Sequence, residues 1–262
     1  MQTLSLELLP AMAVIALLAA CKEKAVESEM ARSGVHLSQR HSAYAGTVSD
    51  WREFLACWQR RRIDHSNGLL AGLSLESLPV EREVLEMVRA REAVLGVRLP
   101  RSYVDFVLSV QLPSENSYPD HQPRFLPVSS VSKLAEFNRH FVDLYTSFDV
   151  PVADRDYFVY GTAQRSMMAR SRYGQLSDAI VVAYYERFDD AFLLHPGTAT
   201  TDGEMEAEAI QEGTWVRTPS FAEMMRQWSY YETTGLHGMP YLQRDLRGTC
   251  ADLLPMKGVW WH

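Results

Sequence analysis

Clustered basic charge, cysteine pairs at metal-binding spacing and the common catalytic signatures are all scarce or missing from this 262-residue chain. Lys and Arg number 26 against 33 Asp and Glu, a formal charge of -7. Duplex nucleic acid is bound by neutralising phosphates with a concentrated basic surface, so no direct nucleic-acid contact is expected. The basic run Arg60, Arg61, Arg62 follows a helical pattern and suits a solvated last turn, where the helix dipole favours cations. There is no GxSxG elbow, no phosphate-cradling glycine loop, no HExxH and no CxxC. The eight histidines are scattered, and His195 with Asp202 or Glu204 is the one His/carboxylate neighbourhood worth testing for catalysis. A structural role is the expectation for it. The chain reads as non-enzymatic, with no cofactor and no metal.

Long apolar runs are also rare. Leu8 to Ala20 is apolar but too short to span a bilayer comfortably, and it has the length of a signal-peptide core. Leu18-Ala19-Ala20-Cys21 after it resembles the lipobox of bacterial lipoproteins, which implies a signal peptide over 1–20, lipid on Cys21 and a polar tether over 21–48. Met1 to Pro10 lacks the Lys or Arg of a secretory leader and carries Glu7. A buried N-terminal helix, or a true start at Met30, therefore stays open, and either would leave the protein in the cytoplasm. Cys57 and Cys250 are the other cysteines. Pairing requires an oxidising compartment, and a bond across that span cannot be read from sequence. Cys57, between Leu55 and Trp58 in a helical pattern, reads instead as a small buried thiol separate from Cys250.

What is present follows two periods. Trp51, Phe54, Leu55 and Trp58 make a helical stripe behind a capping box of Asp50 and Glu53. Pro79 opens a second helix to Leu95 with Val84, Leu85, Val88 and Leu95 inward. In LGVRLPRSYVDF, Gly96 suits a helix C-terminus and Pro100 the start of a third helix, buried through Tyr103, Phe106, Val107 and Val110. The four prolines of residues 113–127 exclude a helix interior and predict a surface loop. A helix from Ser130 to Tyr145 follows, with Leu134, Phe137, Phe141 and Leu144 inward. Residues 157–160, 180–185 and 191–195 read as strands. Glu204 to Ala209 alternates charged and apolar, the pattern of a strand with one wet, acidic face. Ser220 caps a last helix with Phe221, Met224, Met225 and Trp228 inward. Helices first and strands later, without βαβ alternation, predict a single α+β domain over 49–235 with a mostly antiparallel twisted sheet packed against several helices. Residues 236–262 read as a C-terminal extension.

The order of these signals resembles the SUKH superfamily, which includes the yeast Smi/Knr cell-wall assembly regulators and many bacterial toxin-immunity proteins. Leu99-Pro100 with Tyr103 and Phe106, then Gly203-Glu204, then Ser220-Phe221-Ala222-Glu223 carry the resemblance, over roughly residues 49 to 232. The chain departs from the family at Met205, where a tryptophan is common, and at Gln111-Leu112-Pro113, where glycines are common. The resemblance implies an immunity protein that binds and neutralises a cognate protein toxin, basic nucleases among them. On that reading Glu204, Glu206, Glu208 and Glu212 are the partner-binding candidates, because a row of carboxylates suits a basic partner. The alternative is an envelope-anchored scaffold or regulator in cell-wall maintenance. The membrane is a partner if Cys21 is processed.

Overall fold

Thr47, not Asp50, starts the first helix. In the computed structural model, which describes residues 44–63, 68–70, 73–76, 78–112, 124–149, 151–158, 160, 172–185, 190–211, 214–235 and 242–257, α1 spans Val48–Arg61. The Thr47 hydroxyl accepts from the Asp50 N–H at 3.3 Å, and the Asp50 carboxylate accepts from the Thr47 N–H at 2.8 Å. The capping box thus lies three residues upstream of its predicted place, and Tyr44, inside the expected tether, forms a β-bridge with Met256. The stripe behind it holds, since Trp51, Phe54, Leu55 and Trp58 are all fully buried.

Helix α2 is Glu81–Leu95 and ends at Gly96, whose φ of 72° puts the cap in the left-handed region that glycine enters freely. Val84, Val88 and Leu95 are buried, with Leu85 partly so. Pro100 then sits at the N-cap of α3, Arg101–Ser109, which buries Tyr103, Phe106 and Val107.

The long helix expected from Ser130 to Tyr145 is broken. A 3₁₀ turn, Val128–Ser130, is followed by α4, Leu134–Phe137, and α5, Arg139–Thr146. Asn138 separates them at φ -144°, and its side-chain oxygen accepts from the Phe141 N–H at 3.0 Å. A side chain that caps a new helix competes with continuing the old one. The shift turns Leu144 out, leaving it 47% exposed. The strand expected at 157–160 is instead the end of a one-turn helix, α6, Asp154–Tyr157.

The sheet is antiparallel throughout. Its strands are β1 Arg124–Phe125, β2 Ser132–Lys133, β3 Ile180–Tyr185, β4 Asp190–His195, β5 Glu206–Gln211 and β6 Thr214–Thr218. The order is β1-β3-β4-β5-β6, and β2 lies along the same edge of β3 as β1. Helix α7, Phe221–Thr234, follows β6, with the Ser220 hydroxyl accepting from the Glu223 N–H at 3.3 Å. Seven α-helices and this sheet, among the described residues, give the α+β architecture the sequence predicts.

Both faces of the sheet are covered. The alternation of side chains along a strand sends Phe192, Leu194, Ala207, Ala209 and Val216 to one face. There Phe192 meets Trp228 at 4.6 Å between ring centroids, and Phe106 meets Phe125 at 4.6 Å. The opposite face carries Leu193, His195, Glu206, Glu208, Trp215 and Arg217. It is roofed by side chains from α5, α6 and the 3₁₀ turn Tyr173–Asp178. Trp215 stacks on Phe141 at 5.9 Å and packs against Tyr145 at 4.6 Å and Tyr173 at 5.2 Å.

The described part of the segment taken as a C-terminal extension, residues 242–257, belongs to the same core. Leu242, Cys250 and Leu254 are buried with the residues of α1 and α7. The Gln227 side chain grips the Gln243 backbone, donating to its carbonyl at 2.8 Å and accepting from its N–H at 2.7 Å. The expectation of two separate thiols is overturned, because Cys57 on α1 and Cys250 form a disulfide across 193 residues. Sequence could not bring them together because the docking surface for 242–257 is made by α1 and α7 jointly.

Candidate functional site

Glu204 lies just ahead of β5, and it is buried rather than wet. Its carboxylate accepts from the Ser102 N–H at 2.7 Å and the Ser102 hydroxyl at 2.5 Å. The first N–H groups of a helix have no partner within it, so this carboxylate closes the N-terminus of α3, which Pro100 leaves without a side-chain cap. The three segments that carry the sequence resemblance meet here. Phe221 packs edge-on to Tyr103 at 5.3 Å and against Phe106 at 5.3 Å, one turn from the Glu204 contact.

Burial pushes the Glu204 carboxyl up to about 7, opposed by the two Ser102 bonds and assisted by repulsion from Asp202 and Asp105. Between the ordinary carboxylate value of 4.5 and about 7 the folded chain therefore holds a proton that the unfolded chain has lost. Stability from this group is present at low pH and lost as pH rises through 7. Urea unfolding is expected to show a free energy about 2 kcal/mol higher at pH 5.5 than at pH 8 from this residue alone. Glu204→Gln keeps both Ser102 contacts in neutral form and should remove that part of the slope. An unchanged slope in the variant would disprove the assignment.

Glu206 and Glu208 lie inside the second layer. Glu206 accepts from the Tyr157 hydroxyl at 2.5 Å, the Tyr160 hydroxyl at 2.6 Å and Arg217 at 3.2 Å. The Arg217 guanidinium lies 3.8 Å over the Tyr157 ring. Glu208 lies 2.9 Å from His195 Nε2, while His195 Nδ1 has no hydrogen-bond partner among the described residues. The histidine thus meets neither Asp202 nor Glu204, its expected neighbours. Next to this cluster, burial and the Glu206 charge raise the Tyr157 hydroxyl well above its ordinary value.

The solvated acidic row is therefore corrected. Glu204, Glu206 and Glu208 are each about 2% exposed or less, and they face internal donors rather than a partner. The alternation itself is real. It separates an alanine face against the helices from a glutamate face under α6, because the sheet has no wet side. Glu212 and Cys21 lie outside the described residues. Arg217 and the two tyrosines were not singled out in the sequence. The available signal was Arg217 in the short strand directly opposite Glu208.

A further carboxylate, half-buried, ties the ends of the helical layer. Glu232 of α7 accepts from Trp58 Nε1 at 2.9 Å, Trp228 Nε1 at 2.9 Å and the Leu69 N–H at 2.7 Å. Burial raises its pKa, and that of Glu223, which Arg226 and Gln227 hold on the same helix.

Among the described residues no group of three or more His, Cys, Asp or Glu side chains is placed to hold a metal ion. No described helix is long and apolar enough to cross a membrane. No family model, curated protein or solved structure matches the chain. Fold and geometry define an α+β protein whose ionisable clusters brace its layers from within.

Proposed function

We propose that the chain is a non-enzymatic immunity protein, held at the cell envelope through Cys21, that binds a cognate protein toxin and neutralises it. The observation that supports this most is the meeting of LPRSYVDF, Glu204 and Phe221 at one point of the core. Residues more than 100 positions apart, on which the likeness to immunity proteins rests, act as one scaffold unit. Their role is architectural, so the toxin-binding surface lies on side chains outside this unit and outside the buried glutamates. The Cys57–Cys250 bond supports an envelope location, since such bonds persist in oxidising compartments.

Expressing the chain is expected to protect cells from a toxin encoded beside it, through a stoichiometric complex and without modifying the toxin. Cys21→Ala should move the protein out of the membrane fraction. A chain that neither protects nor binds sinks the immunity reading. Loss of wall integrity on deletion, with no toxin partner, would favour the scaffold alternative instead.

A further inference from the structure

Eight large apolar side chains are exposed among the described residues, and four of them, Leu78, Val80, Met87 and Val94, lie on α2 or just ahead of it. Val80, Met87 and Val94 are 56%, 44% and 68% exposed. They are spaced by seven, so they fall in one row that drifts only about 20° per step around the helix. Exposed Ala90 lies beside the row and lets another backbone approach closely. Val84, Val88 and Leu95, about 80° around α2 from the row, go to the core, so the row runs along the flank of the buried face. The row borders a groove of about 320 Å³ whose walls include Val107, Val110 and Val128.

We propose that this face pairs with the same face of a second copy of the chain, α2 against α2 and antiparallel, with Met87 on the two-fold axis. Two features favour a second copy over another occupant. The row is symmetric about Met87, so reversal lays Val80 on Val94 of the second copy and repeats the contact at both ends. The charges are also self-complementary when reversed. The N-terminal half carries Glu81, Glu83 and Glu86 with only Arg82, and Glu81 and Glu83 form no ion pair among the described residues. The C-terminal half and its exit carry Arg89, Arg91 and Arg98 with only Glu92, which pairs with Arg98, while Arg91 Nε donates to the Val131 carbonyl. Antiparallel pairing sets the acidic half of each helix along the basic half of the other, and the two helix dipoles also oppose. One 15-residue helix offers a short seam beside the roughly 1,200–2,000 Å² of a stable interface, so the dimer is weak and sensitive to salt.

Cysteine cross-linking of the full chain in a Cys21→Ala background reads both partner and register. Under copper-phenanthroline, Met87→Cys is expected to give covalent dimer at least roughly tenfold faster than Leu144→Cys, an exposed control away from α2. Val80→Cys mixed with Val94→Cys should cross-link, and either one alone should not. Sedimentation should show concentration-dependent association that Met87→Glu abolishes without changing the unfolding midpoint. Cross-linking of Met87→Cys no faster than the control, or a monomer at concentrations up to roughly 200 µM, overturns the proposal. A monomeric result leaves this face to a different protein and leaves the toxin-binding reading intact.

Discussion

Replacing Cys57 and Cys250 together by alanine is expected to lower the unfolding free energy by about 3 to 5 kcal/mol and the melting temperature by roughly 10 °C. The bond closes a loop of nearly the whole folded chain, its ends separated by 193 positions in sequence, and so removes a large share of the unfolded state's freedom. Both side chains are buried, which makes alanine a milder replacement than a hydroxyl. Urea unfolding followed by tryptophan fluorescence, without reductant, measures the effect. Trp51 and Trp58 lie on the bonded helix and report its release. Equal midpoints for variant and wild type, with the wild-type bond confirmed by mass, would remove the disulfide from the account of stability.

Arg217→Met should be comparably damaging, at about 3 to 5 kcal/mol, because it leaves a buried carboxylate without its counter-charge. Two tyrosine hydroxyls would still donate to Glu206, but they neutralise nothing. The cation also covers the Tyr157 ring, so its loss opens space in the same layer. A double-mutant cycle separates these effects. Glu206→Gln with Arg217→Met should cost clearly less than the two single changes summed, since the amide needs no counter-ion. Strict additivity would show that the pair is not coupled.

The helical layer was legible in the sequence because one face of each helix makes a single demand. Trp51 to Trp58, Val84 to Leu95 and Tyr103 to Val110 each point the way the 3.6-residue period says. The hairpin of β3 and β4 was equally readable from its β-branched and aromatic runs. The alternation of Glu204 to Ala209 gave the strand and hid its surroundings. A period of two says that two faces differ, and only the roof of α5, α6 and the Tyr173–Asp178 turn decides that both are dry. The same holds for Asn138, whose capping role depends on where Phe141 must go to reach Trp215. Cys57 and Cys250 were the hardest to read, since their meeting depends on every element between them.

That last dependence bears on the order in which the molecule is completed. At synthesis rates of about 5 to 20 residues per second, roughly 10 to 40 s separate the emergence of Cys57 from that of Cys250. During that interval α1 has its cap and its aromatic stripe, yet nothing covalent secures it and the segment that seals it does not exist. The first of the described helices is thus among the last to be fixed, and a chain stopped anywhere before residue 250 leaves α1 unfastened.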